Sequence, residues 1–172
     1  MTNAPDGSKA TPLRTRALYL IICALGVLLV GYAFLPVAAY WEFVFLDTLI
    51  APEEVRAALA AMTPGQKEVH IWASWLLDLP YPLFYWGLFG GLIVRGLPSK
   101  AGILIWVPRA AFTSDILENI IQTFMLLGTD GLVGIKTAVT LLKFGLYALA
   151  ALIALTALIA LVWRGVRAKG QG

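Results

Sequence analysis

Charge is what this chain has least of. Of its 172 residues, 13% are Asp, Glu, Lys or Arg and 60% are hydrophobic, against about 25% charged in an ordinary globular domain. Mean hydropathy is +0.82. A soluble domain of this length could not cover its surface with so few charges, which excludes a water-soluble helical bundle. There is one cysteine, Cys23, inside an apolar run. This excludes an intramolecular disulfide and a thiolate metal cluster. The single histidine, His70, excludes bis-histidine haem ligation within the chain. No phosphate loop, nucleophile motif or metal-ligand spacing is present, so neither a metal nor any other cofactor is implied. No solenoid-type repeat occurs.

What the chain does have is length in its apolar runs. A membrane span needs about 20 predominantly apolar residues, and four segments qualify: 17–38, 69–94, 101–127 and 135–163. The expected fold class is all-α: a polytopic membrane protein, a four-transmembrane-helix bundle. One domain over 17–164 carries the spans, between a polar, disordered cytoplasmic N-terminus (1–16) and a cytoplasmic tail (165–172). Between the first two spans, Pro52 and the acids Glu53 and Glu54 suit a helix start. Val55, Leu59 and Met62 then share a side, so a short interfacial helix is expected there, either a surface connector or a lid over a site. The net charge of +3 reports topology. With both termini inside, Lys9, Arg14, Arg16, Arg95, Lys100, Arg164, Arg167 and Lys169 are cytoplasmic, while Arg56, Lys67 and Lys136 lie outside. That is the asymmetry of the positive-inside rule. The basic excess therefore implies membrane lipids as partners and no nucleic acid.

Three spans carry chemistry. In the third, Asp115, Glu118, Asn119 and Gln122 follow i, i+3, i+4, i+7 spacing and form one stripe. Arg109 precedes them by two turns, and its expected role is structural, as the partner of Asp115. A charge at the bilayer centre costs about 3 kcal/mol, so this stripe must face other helices, leaving Ile116, Ile120, Phe124 and Leu127 outward. The second span holds Asp78 just before Pro80 and Pro82, which remove backbone donors and are expected to kink or break the helix. Tyr81, Tyr85, Trp75 and Trp86 make this span aromatic. In the fourth, Lys136, Thr140, Lys143 and Tyr147 recur at helical spacing. Counted by helical rise, Asp78, Glu118 and Lys143 share a depth. Asp78, Asp115 and Glu118 are thus the candidate acid–base residues. Asn119, Gln122, Lys143, Tyr81, Tyr85, Trp75 and His70 are the candidate ligand-binding residues. Gly87 and Gly91 form a G-x-x-x-G pair suited to close helix contact and to homo-oligomerisation.

The sequence D-x-P-x-P-x-x-Y-W-G (Asp78, Pro80, Pro82, Tyr85, Trp86, Gly87) followed by D-x-x-E-N (Asp115, Glu118, Asn119) resembles small four-span bacterial membrane proteins that carry such patterns on consecutive helices. The resemblance covers the middle two spans. It implies the fold and a place in the bacterial inner (plasma) membrane, and it assigns no chemistry. The intramembrane carboxylates and aromatics themselves point to binding or transformation of a lipophilic small molecule. A proton-coupled transport component, or an accessory subunit whose polar network only locks the helices, would use the same residues.

Overall fold

A computed structural model describes residues 17–169. Among them the chain is all-helical, with no strand. Helix α1 runs Ala17–Trp41, and its apolar character continues all the way round. A strap then carries a single 3-10 turn, Leu46–Thr48, and leads into α2 (Pro52–Ala61). Helix α3 (Pro64–Ala73) passes through a π turn, Ser74–Asp78, into α4 (Pro80–Gly96). A short α5 (Ala101–Leu104) precedes α6 (Trp106–Leu126), and α7 covers Val133–Lys169. Three helical stretches, Ala17–Trp41, Pro64–Gly96 and Asp130–Ala168, are long and apolar enough to cross a membrane. Helix α6 is as long as a span but has Arg109, Asp115 and Glu118 along it.

The second helical stretch is bent in register rather than broken. Pro80 and Pro82 would clash with carbonyls four residues back in a regular α-helix. The π turn widens the helix by one residue at that point, and Leu79 N–H reaches back to the Ser74 carbonyl at 3.1 Å. The prolines then occupy the first turn of α4, where missing N–H groups cost least.

Helix α4 lies at the centre, packed against α1, α6 and α7. Small residues permit this. Gly87 faces α1 so closely that a Cβ there would sit 2.7 Å from the Tyr19 hydroxyl and 2.8 Å from the Cys23 sulfur. That glycine is therefore taken up within the chain. At its other end α4 meets a stripe of buried alanines on α7, Ala150, Ala154 and Ala157, and Gly96 presses on the Ala157 backbone. The Arg164 guanidinium donates to the Gly96 carbonyl and ties down the same end.

The opposite end holds the apolar core. Val55 and Leu59 of α2, and Met62 just past its end, pack with Phe43, Phe45 and Leu46 of the strap and with Ile121 and Met125 of α6. The apolar face of α2 thus covers the protein's own core, where a face laid on a membrane surface was expected. Phe43 and Phe45 turn inward, leaving Tyr40 and Trp41 exposed. A Thr63–Gln66 capping box starts α3, and the Gln66 amide also donates to the Trp41 carbonyl, 2.8 Å away, at the end of α1.

Gly96→Ala tests the α4–α7 contact. The added methyl would meet backbone, which cannot rotate away, so unfolding stability should fall by about 1–3 kcal/mol. Gly102→Ala, where a Cβ meets nothing within 4 Å, should change little in the same thermal melts.

Candidate functional site

Helix α7 places Lys136, Thr140 and Lys143 on one face, and all three are buried. Facing them on α6 are Asp115 and Glu118. Lys143 Nζ lies 3.1 Å from Asp115 Oδ1 and in close ion-pair contact with Glu118. Lys136 lies 3.6 Å from Glu118, and the Thr140 hydroxyl donates to the same carboxylate. Glu118, with no solvent exposure, is therefore the centre of a closed network. Asp115 is shared differently: its other oxygen accepts from the Tyr85 hydroxyl of α4 at 2.6 Å.

Lys136 also reaches the strap, donating to the Leu46 and Leu49 carbonyls. His70 of α3 completes the clamp: its Nε2 accepts from the Leu46 N–H at 3.0 Å. Nε2 therefore carries no proton, and the ring is neutral. Phe43 stacks on His70 at 5.3 Å between centroids, and Phe45 meets it edge-on at 5.1 Å. Held this way, the strap turns Asp47 inward.

The strap closes over a cavity of about 290 Å³ between α1, α4, α6 and α7. Its polar wall consists of Asp47, Thr48, Asp78, Asp115 and Lys143. The remaining wall is Gly31 with the rings of Phe34, Phe45, Tyr81, Tyr85, Phe144 and Tyr147. The Tyr81 and Tyr147 hydroxyls meet at 3.4 Å. Asp78 is 6% exposed and has Asn119 within side-chain hydrogen-bonding reach. Among the described residues neither Asp47 nor Asp78 has a salt bridge, and Asp47 Oδ1 has no hydrogen-bond partner.

The residues singled out from the sequence thus separate. Asp78, Asp115, Lys143, Tyr81 and Tyr85 line the cavity. Glu118 stands behind it. Asn119 donates to the Ser74 carbonyl at 3.3 Å and braces the π turn, and Trp75 donates to Thr123 at 3.2 Å. Gln122 is buried away from the cavity, and His70 holds the strap. The expected Arg109–Asp115 pair does not form. Six residues put the two side chains about 120° apart around the helix, and Arg109 instead lies over the Trp106 ring, 4.9 Å from its centroid.

Two residues of this arrangement are not among the sequence candidates: Lys136, placed with the outer charges, and Asp47, a loop acid. For Lys136 the signal was its spacing with Thr140 and Lys143. For Asp47 there was none, because its position depends on a strap folding back. Among the described residues no group of three His, Cys, Asp or Glu side chains is placed to hold an ion. No protein-family model, curated protein or solved structure matches the chain.

Two stability measurements distinguish the two kinds of acid. Burial pushes the Asp47 carboxyl above its ordinary value, with Lys143 opposing. A carboxyl raised in the folded state contributes stability at low pH that is lost as pH rises past the ordinary carboxylate range. Asp47→Asn should therefore match wild type near pH 4 and be the more stable of the two at pH 7 in detergent melts. Glu118→Gln, by contrast, leaves two buried lysines short of a partner and should destabilise by about 3–5 kcal/mol.

Proposed function

We propose that the chain is a four-span protein of the bacterial inner (plasma) membrane, with both termini cytoplasmic, that binds a lipophilic small molecule in the cavity under the strap. Helix α6 serves as the third of the four spans, beside the three helical stretches named above. Asp115, Glu118, Asn119 and Gln122 are all buried against other helices, while Leu117, Ile120, Phe124 and Leu127 are exposed. That is the distribution a span with interior charges requires. The burial of Lys136 removes it from the outer loop charges and leaves Arg56 and Lys67 there, which sharpens the asymmetry that supports cytoplasmic termini. The short helix α2 belongs to the outer side and, with the strap, covers the site.

The observation that carries the reading is the cavity's division into an aromatic wall and a polar wall. Ligand sites combine a largely apolar lining with a few placed polar groups, in volumes of about 300–1,000 Å³. A cavity of about 290 Å³ suits a small ligand. A polar network that served only to lock the helices would be closed, as it is around Glu118. Asp78 and Asp115 instead reach open space. They are the groups available to anchor a ligand or to exchange a proton with it, with the Tyr85 hydroxyl orienting Asp115.

Gly31→Leu tests this directly. A Cβ at Gly31 makes only ordinary contact, 3.5 Å from the Tyr81 ring, so a leucine there extends into the cavity without a backbone clash. Native mass spectrometry of the protein released from membranes should show a stoichiometric lipophilic molecule on wild type. That molecule should be lost in Gly31→Leu at an unchanged melting temperature. A wild-type protein carrying only bulk phospholipid, the same as the variant, would remove the reading.

A further inference from the structure

The cavity's charges do not cancel. Three buried acids, the half-buried Asp47 and two buried lysines meet around it. Lys143 is engaged by Asp115 and Glu118, and Lys136 by Glu118 and two strap carbonyls. Among the described residues this leaves Asp47 and Asp78, both on the cavity wall, with no cation in ion-pair contact. Asp78 is only 6% exposed, and Asp47 Oδ1 is buried with no hydrogen-bond partner. Lys143, the one cation on the wall among the described residues, is already held by two carboxylates, so no described group there is free to receive an anion. The rest of the wall presents aromatic rings, whose faces attract cations. A bare metal ion would need several converging oxygen ligands, and no such group is arranged among the described residues.

We infer that the ligand of this cavity is a lipophilic organic cation: an ammonium group placed between Asp47 and Asp78, carried on an apolar body that lies against the rings of Phe34, Tyr81 and Tyr147. The inference rests on the small-molecule reading above and specifies the chemical class that site takes. The acids come from two different places, Asp78 from the π turn and Asp47 from the strap, so a bound cation bridges the strap to the helices.

The test uses the full chain in phosphatidylcholine nanodiscs and three probes of matched shape: phenylbutylammonium, phenylbutanol and phenylbutyrate. Binding is followed by thermal shift against probe concentration, with empty nanodiscs correcting for partition into lipid. The ammonium should bind at least about tenfold more tightly than the alcohol, and the carboxylate should not bind. Asp47→Asn and Asp78→Asn should each reduce the preference for the ammonium over the alcohol, and the double variant should abolish it. Gly31→Leu should exclude every probe. Asp47 lies on the strap, outside the packed helices, so its variant keeps the test available even if Asp78→Asn unfolds. The wild-type comparison needs no variant at all. If the alcohol binds as tightly as the ammonium and Gly31→Leu blocks both, the cation inference falls while the small-molecule site stands. If none of the three probes binds, both fall.

Discussion

Two buried lysines on one face of α7 constrain the rest of this structure. An ammonium group taken out of water must be met by charge or by several acceptors, because the cost of leaving it unpaired amounts to several kcal/mol. Lys143 is met by Asp115 and Glu118, and this sets the register between α6 and α7. Lys136 is met by Glu118 and by the strap carbonyls of Leu46 and Leu49. One helix face thereby positions both its neighbouring helix and a loop some 90 residues away in sequence. Rotating α7 by one residue, about 100°, would carry both ammonium groups out of reach of these partners.

The cavity follows from that arrangement. The strap cannot collapse onto α4, because its backbone is pinned on one side by Lys136 and on the other by His70. On the far wall the π turn, forced by Pro80 and Pro82, swings Asp78 inward and is held by Asn119 through the Ser74 carbonyl. Aromatic rings fill the circumference without filling the middle. Acids of the same residue type therefore end in opposite roles. Glu118 is surrounded by donors and belongs to the frame. Asp47 and Asp78 face open space, which is the arrangement a ligand-binding carboxylate needs.

Several features were legible in the chain because they depend on local periodicity. The α6 stripe of Asp115, Glu118, Asn119 and Gln122 faces inward as its spacing requires, since a helix of fixed pitch carries such a pattern to one side. The same holds for the lysines of α7. Matching depths along neighbouring helices brought Lys143 to Glu118. The Arg109–Asp115 pair, in contrast, fails on the same helical geometry once the angle as well as the rise is counted. The proline pair was legible as a disturbance, but not as a π turn, because the form it takes depends on Asn119 supplying a donor from another helix. Phe43 and Phe45 have no periodic pattern to assign them a side, and they turn inward, where both pack on the His70 ring.

The amino-acid sequence by itself determined the helical class, the apolar stretches of membrane-spanning length and the inward face of each polar stripe. Each of these rests on composition or on the 3.6-residue repeat, and each is a property of one segment at a time. Only the tertiary structure decided which acids remain uncompensated. That depends on the strap between α1 and α2 folding over the helix ends, and this segment has no periodicity to announce it. Asp47 is an ordinary loop acid in the chain. It becomes part of the site because Lys136 and His70 hold the backbone on either side of it, an interaction of residues 24 to 90 positions apart that no local pattern encodes.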